Sequence, residues 1–357
     1  MDNERLKVLY LFAGEREETI KRWEAGEGPD SYLIGYNHMA SFGIKADYVE
    51  NRFINRIRKI NFNLANLILI KKIREYDVVF SGGSLALPLL AKVILGFKRP
   101  KFVWYNTFFT NALKRNRGTL RGRVLRRVIL SLDAIVCPSN AQRDFLIKTG
   151  CDPKKVFYVP NGVDIDFIEN KEKETTAVPG SPFILSAGKD MGRDYRTLIE
   201  AVRGLDIQIK IIAYPRNLKD IKDIPDNVSI EAVPFFKLLE LYKKAVAVVI
   251  PTKKDGYFNA SDCSGQSVLL EAMASGKAIV ASERETLSDY VKDGETAIIV
   301  PPENVLALRS AILRVMADNA FAVKLGEKSR LLAEKKFTTR RLAEDLSSIF
   351  TRVANEK

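Results

Sequence analysis

A chain of 357 residues is longer than one ordinary open α/β domain and suits two domains of roughly 150 to 180 residues each. With 46% hydrophobic and 28% charged residues it reads as globular, soluble and able to bury two cores, which excludes a disordered or fibrous chain. The net charge of +13 lies in the first half alone: residues 1–160 hold 28 Lys/Arg against 15 Asp/Glu, and residues 161–357 hold 29 of each.

The opening MDNERLKVLYLFAGERE places acids ahead of a short apolar run, which fits neither a secretory nor a transit signal and reads as a first strand. A helix is expected over 30–41, a strand at KADYVE and then a basic helical stretch. The strand DVVFSG, a helix over 85–94, the strand KFVWYN, a helix over 119–131 and the strand AIVCPS complete the first half. Its most apolar stretches, 64–70 and 85–97, are broken by Asn66 or by Pro88 and Lys92, and fall short of the ~20 residues that a membrane span needs.

The polar segment IDFIENKEKETTAVPGSP, residues 165–182, reads as an interdomain linker and its approach. Alternation then restarts with FILSAG, a helix over 194–203, IQIKIIA, VSIEAV, a helix over 237–244 and VAVVIPT. It continues through the helix of SVLLEAMAS, the strands KAIVAS and TAIIVPP, and long helices from about Val305 onward. Such alternation builds βαβ units and parallel sheets, and apolar runs such as VVF and FVW fit strands buried on both faces. The expected fold class is therefore α/β, with two doubly wound sheets. Cys137, Cys151 and Cys263 are odd in number and contain no C-x-x-C, which argues against a disulfide framework or structural zinc and suits a reducing cytosol.

The segment SDCSGQSVLLEAMASGKAIVAS, residues 261–282, carries the first candidate chemistry. A glycine-containing loop opens a helix at about Ser267, with Val268, Leu269 and Ala272 on a buried stripe and Gly276 at its end. The first turn of a helix presents unpaired N–H groups and the positive end of its dipole, so Gly265, Gln266 and Ser267 can cradle a phosphate. Glu271, one turn inside, can accept hydrogen bonds from two ribose hydroxyls. In FILSAGKDMGRDYRTLIEAV, Lys189 and Arg193 follow a strand and precede an amphipathic helix, a position from which both can reach a crevice at the strand's carboxyl end.

The order of residues in 261–282 resembles the nucleotide-sugar site of retaining glycosyltransferases of the GT-B fold, glycosyltransferase family 4 (glycosyl transferases group 1), in which a glutamate, seven residues and a second glutamate are followed by A-M-A-x-G-K. LSDYVKDGETAIIVPPENVLALRSAI is similar to the usual sequel, AIVCPSNAQRDFLIKTG and VFYVPNGVDIDFI to the last N-domain strand and crossover, and VSIEAVPFFKLLELYKKAVAVVIPT to the base-binding region. The resemblance implies GT-B architecture, two Rossmann-like domains facing a central cleft. An acceptor-side domain would span 1–165, a nucleotide-sugar domain 166–340, and a C-terminal helix over 341–357 would return to the first.

By the same resemblance, Lys189 and Arg193 clamp the diphosphate, Glu271 holds the ribose, the backbone around Val233 and Pro234 meets the nucleobase, and the loop at Ala13 and Gly14 approaches the sugar. It implies a retaining hexosyltransferase that takes a UDP- or GDP-sugar as substrate, with no cofactor and no metal, and no suitably placed D-x-D pair is present. Two departures stand out: Cys263 occupies the place of the first glutamate, which in the family touches the donor sugar, and Asn106 and Thr107 replace a histidine that many relatives carry after KFVWYN. The only histidine, His38, reads as a packed or surface residue.

Residues 51–127 hold 18 basic and 2 acidic side chains, a field that points to an anionic partner. KRNRGTLRGRVLRR, residues 114–127, interleaves Leu120, Val124 and Leu125 with seven cations, and RFINRIRKI, residues 52–60, does so with Phe53, Ile54, Ile57 and Ile60. This pattern suits an anionic membrane surface, with Arg115, Arg117, Arg121 and Arg123, and with Asn106, on the acceptor or membrane side. The bland reading is a solvated face over core-directed aliphatics. Nucleic acid is disfavoured, since no recognised binding motif is present and aromatics are few. A lipid-linked saccharide, or another membrane-borne or saccharide acceptor, at the cytoplasmic face of the cell membrane would account for both halves. The alternatives are a GT-B chain that lost catalysis and serves as a nucleotide-sugar-binding partner subunit, and an epimerase, which would need more acids and histidines.

Overall fold

The computed structural model describes residues 5–50, 52–83, 87, 89, 98–174, 181–219, 221–257 and 260–356. The chain forms two compact units, one made of Met1–Gly162 with Thr339–Lys357 and the other of Val163–Thr338. Each holds a six-stranded sheet.

The first sheet contains β1 (Lys7–Leu11), β2 (Lys45–Tyr48), β3 (Val78–Ser81), β4 (Lys101–Tyr105), β5 (Ala134–Cys137) and β6 (Val156–Tyr158), in the order β2-β1-β3-β4-β5-β6. Alternate side chains leave a strand on opposite faces, and here both faces are covered. Leu9, Val79, Phe102, Trp104 and Ile135 pack with Ile54, Ile73, Ile129 and Leu146 on one side. Val8, Tyr10, Val78, Phe80 and Val103 pack with Leu342, Leu346, Phe350 and Val353 on the other. Those last residues recur every three or four positions, so the helix Thr339–Asn355 presents one apolar stripe to the sheet.

The second sheet contains β7 (Phe183–Ala187), β8 (Gln208–Ile212), β9 (Val228–Glu231), β10 (Ala247–Ile250), β11 (Ala278–Ser282) and β12 (Ile298–Val300), ordered β12-β11-β10-β7-β8-β9. Strand order reverses between β7 and β10, and such a switch opens a crevice at the carboxyl ends of the strands. No described helix is long and apolar enough to cross a membrane.

Several elements differ from the sequence reading. The segment read as a linker begins with a helix, Ile165–Glu174: Asp164 caps it by accepting from the Phe167 amide at 3.0 Å, and Ile165 and Ile168 join the second unit's core. Its charges are helix pairs such as Lys173–Glu169 at 2.7 Å, the i,i+4 support expected on a solvated helix face. In place of one helix over 30–41 there are two 3₁₀ stretches, Ser31–Leu33 and Tyr36–Phe42, separated by left-handed Ile34 and Gly35. VFY, read as part of the crossover, is the edge strand β6. A further helix, Phe109–Arg115, precedes Leu120–Leu130. The helix expected over 85–94 lies, apart from 87 and 89, outside the described residues.

At Gly35, φ is +75° and an added Cβ would fall 2.9 Å from the Ala343 backbone, so this turn lets the C-terminal helix approach. Gly35→Ala should lose about 1–3 kcal/mol of stability through overpacking alone. Gly43→Ala is the control, since it shares the left-handed φ but has nothing within 4 Å. Urea denaturation of both variants checks this, and equal losses would show that the close approach adds nothing.

Candidate functional site

Of the sequence-selected residues of the second unit, Lys189, Arg193, Cys263, Gly265, Gln266 and Ser267 follow the central strands β7 and β10 at their carboxyl ends, while Val233 and Pro234 follow the edge strand β9. After β7 the chain turns through Gly188, with φ of +145°, to Lys189, which is exposed. The Asp190 carboxylate accepts from the amides of Gly192 at 2.7 Å and Ser261 at 3.2 Å, tying this loop to the one that follows β10. Tyr195 donates its hydroxyl to the Gly188 carbonyl at 2.6 Å; burial pushes its phenol up to about 12, so it remains a donor near neutral pH.

Arg193 pairs through its backbone with Thr252, and only 6% of the residue is exposed. Its guanidinium lies against Gly188, where any Cβ would collide with it, and Nη1 is 3.6 Å from where a Gly265 Cβ would stand. Nε and Nη1 have no hydrogen-bond partner among the described residues. A buried, unpaired cation is strongly unfavourable unless something else supplies acceptors.

The helix beside it, Gln266–Ala274, is led by Gly265 at φ +97°, which has no side chain to cap it. The Gln266 amide donates to the Cys263 carbonyl at 3.1 Å and the Leu269 amide to the Gly265 carbonyl at 2.9 Å. Helix geometry leaves the amides of Ser267 and Val268 without an intrahelical carbonyl. Those donors, the positive end of the dipole and the Arg193 guanidinium share one corner, an arrangement that binds an anion. Gln266 belongs to the support of this corner, because its side-chain amide donates to the Thr286 carbonyl at 2.8 Å.

Glu271 is 5% exposed and accepts from the Tyr242 hydroxyl at 2.9 Å. Tyr242 sits among apolar residues on the helix Phe235–Lys244, and nothing in that helical pattern separates it from an ordinary core tyrosine. Val233 is half-buried against the same core, and exposed Pro234 leads that helix. Cys263 is half-buried in the turn before Gln266.

The first unit treats its candidates differently. Asn106, expected on the acceptor side, is 1% exposed. Its amide donates to Thr110 at 2.9 Å, its side-chain oxygen accepts from the Phe109 backbone at 3.0 Å and its carbonyl accepts from Gln142 at 2.9 Å. It shapes the loop after β4 and offers an acceptor no face. Gly14 follows β1, but the nearby helix Glu17–Glu24 is already capped: the Glu50 carboxylate accepts from the amides of Arg16 at 2.6 Å and Glu17 at 2.8 Å.

His38 Nε2 lies 2.7 Å from Asp30 and 3.4 Å from the Thr339 hydroxyl. Burial works against the Asp30 charge, but hydrogen bonds from His38, Asn37 and Thr339 outweigh it and hold the carboxyl below its usual range.

Arg115, Arg117, Arg121 and Arg123 are all exposed. The aliphatics among the cations divide: Leu120 is 70% and Ile60 85% exposed, Val124 is exposed too, while Ile54 is buried and Ile57 and Leu125 pack against the core. The Phe53 side chain lies outside the described residues. Among the described residues no three His, Cys, Asp or Glu side chains form a cluster able to hold a metal ion.

Comparison with known proteins bears on the family and the fold. Residues 29–167 match the family described as Glycosyltransferase Family 4, and residues 192–318 match Glycosyl transferases group 1. An uncharacterized glycosyltransferase of Methanocaldococcus jannaschii, MJ1069, is 24% identical over 97% of this chain and 90% of its own length. The lipopolysaccharide core biosynthesis mannosyltransferase LpcC of Rhizobium leguminosarum bv. viciae is 26% identical over 68% of this chain and 70% of its own. Among solved structures, sucrose-phosphate synthase of Thermosynechococcus elongatus superposes with a TM-score of 0.75 at 16% identity, covering 98% of this chain and 99% of that one. Anabaena HepE in complex with UDP-glucose gives 0.69 at 12% identity, covering 97% and 100%. At such identities the structural likeness shows a shared fold.

Arg193→Met should leave the ligand-free protein as stable as the parent or more so, because it removes a buried charge that no described residue neutralises. The same change should abolish the thermal stabilisation given by added pyrophosphate. Melting curves with and without pyrophosphate check both, and a ligand-free midpoint several degrees lower would make Arg193 a structural cation.

Proposed function

The chain is a glycosyltransferase of the GT-B fold and family 4-like, and on that premise we propose that it moves a hexose from a UDP- or GDP-sugar to a lipid-linked or saccharide acceptor with retention of anomeric configuration. The observation that carries this reading is the buried Arg193 guanidinium, unpaired among the described residues, beside an uncapped helix start. In this reading the diphosphate lies between them. Its charge grows as the glycosidic bond breaks, so Arg193, the exposed Lys189 on the same loop and the Ser267 and Val268 amides stabilise the departing group more than the bound donor. That arrangement meets the leaving-group charge without a metal. Glu271, oriented by Tyr242, accepts from the ribose hydroxyls, and the backbone at Val233 and Pro234 receives the base.

The relatives lend support of two kinds. HepE was solved with UDP-glucose, and LpcC is named for mannosyl transfer in lipopolysaccharide core synthesis. A membrane-borne acceptor accords with the exposed cations and with Leu120, Val124 and Ile60 at the surface of the first unit, each Lys or Arg near anionic lipid contributing about 1 kcal/mol. We place the protein at the cytoplasmic face of the cell membrane on that charge.

Incubation with labelled UDP- and GDP-hexoses and membrane extract tests the reading, with the anomeric configuration of the product read by NMR. Transfer with retention is expected. Absence of transfer and of donor hydrolysis from every donor overturns the enzyme. Donor binding without turnover would instead assign a partner subunit, which Cys263 at the place of the family's first glutamate favours.

The acceptor side has its own test. The parent protein should sediment with vesicles containing anionic lipid, poorly with neutral ones, and less as salt shortens the Debye length from ~8 Å at physiological ionic strength to ~3 Å at 1 M. Changing Arg115, Arg117, Arg121 and Arg123 to Ser should abolish sedimentation and leave nucleotide binding intact. A quadruple variant that sediments like the parent would make this helix an ordinary solvated face.

A further inference from the structure

The carboxyl edge of the second sheet holds more unsatisfied donors than a diphosphate accounts for. Buried side-chain atoms without a partner among the described residues occur there on Arg193, Thr252, Ser264, Arg284 and Thr286. These residues follow β7, β10 and β11, which are adjacent because β10 pairs with both others. Short links run between them: Thr252 bridges Arg193, the Thr252 amide donates to Ser282 at 3.0 Å, and the Thr286 carbonyl holds Gln266 at 2.8 Å. Leu287, on the same loop as Arg284, lies 3.7 Å from where a Gly265 Cβ would stand. Loop 284–287 therefore flanks the helix start from the β11 side, as Arg193 does from the β7 side.

Arg284 is 4% exposed. Its Nη2 pairs with Asp255 at 3.0 Å, and the other Asp255 oxygen accepts from the Glu285 amide at 2.9 Å. Nε and Nη1 are without partners among the described residues. This distinguishes Arg284 from Arg193, for its charge is already balanced by a carboxylate. What it lacks among the described residues is oxygen acceptors for two N–H groups, and the Thr252 and Thr286 hydroxyls lack partners there as well. A charge-balanced set of N–H donors and hydroxyls complements a polyol, whose hydroxyls both accept and donate. A second anion placed there would be desolvated beside the Asp255 carboxylate.

We propose that Arg284, held by Asp255, forms with Thr252 and Thr286 the subsite for the hydroxyl groups of the transferred sugar, and that it selects a neutral hexose over a hexuronate. The inference rests on the nucleotide-sugar reading above. Sites that hydrogen-bond a substrate's polar groups discriminate through those bonds, since wrong pairing leaves buried donors unsatisfied.

Calorimetric titration separates the two layers. The parent is first titrated with UDP and GDP, and binding of neither removes the nucleotide-sugar reading and this subsite with it. With the nucleotide known, the probes are the diphosphate, the hexose nucleotide and the hexuronate nucleotide: UDP, UDP-glucose and UDP-glucuronate, or GDP, GDP-mannose and GDP-mannuronate. The parent should favour the hexose form. Arg284→Lys and Thr286→Val should bind the diphosphate as the parent does, bind the hexose nucleotide about tenfold more weakly or worse, and discriminate less against the hexuronate. Equal losses for diphosphate and hexose nucleotide would make Arg284 a support of the phosphate corner and overturn the proposal. Unchanged hexose binding would show that water fills these donors, and overturns it too. Should Arg284→Lys melt early, Thr286→Val, which exchanges a hydroxyl for a methyl group of similar size, decides alone.

Discussion

A guanidinium buried beside backbone, with two nitrogens lacking partners among the described residues, constrains everything around it. Arg193 can lie where it does only because Gly188 carries no Cβ. Gly192 is equally confined, since a Cβ there would stand 2.6 Å from Ala260 and 3.0 Å from the Ser264 hydroxyl. Asp190 fastens the loop to Ser261 and Tyr195 fastens it to helix and strand. Much hydrogen bonding thus holds one charge at the start of one helix, and in the proposed reaction that preorganisation stabilises the departing diphosphate.

The two units share a sheet architecture but treat their switch points in opposite ways. In the second unit the helix start beside the switch is led by a glycine and left uncapped. In the first, the order β2-β1-β3-β4-β5-β6 puts the reversal between β1 and β3, and the helix that follows β1 is capped by Glu50 from within the unit. The carboxylate occupies the donors that an outside anion would need. Its positive charge sits instead at the surface, where Arg115, Arg117, Arg121 and Arg123 are exposed on two helices and the turn between them.

The chain passes between the units at Gly162–Val163 and again at Thr338–Thr339. Within the second unit, the Val163 amide donates to the Phe337 carbonyl at 2.8 Å, so the outgoing and returning segments are paired. Within the first, Thr339 meets the His38–Asp30 pair and the helix it starts buries Leu342, Leu346, Phe350 and Val353. The lone histidine is thereby accounted for as part of the seat of the last helix.

The sequence by itself determined the alternation of strands and helices, the runs VVF and FVW, and the placement of Lys189, Arg193 and Gly265 at strand and helix ends with Glu271 one turn inside, because each depends on residues a few positions apart. It missed β6, whose three residues form an edge strand, and it read the charged helix Ile165–Glu174 as a linker because only Ile165 and Ile168 are buried. Tertiary structure alone decided that Gly35 turns left-handed against Ala343, that Asn106 is consumed inside its own loop, that Tyr242 meets Glu271 and that Asp255 holds Arg284. Each of those depends on which strands become neighbours and which helix covers them. Periodicity records which side of an element is buried, and it carries no information about the element on the other side.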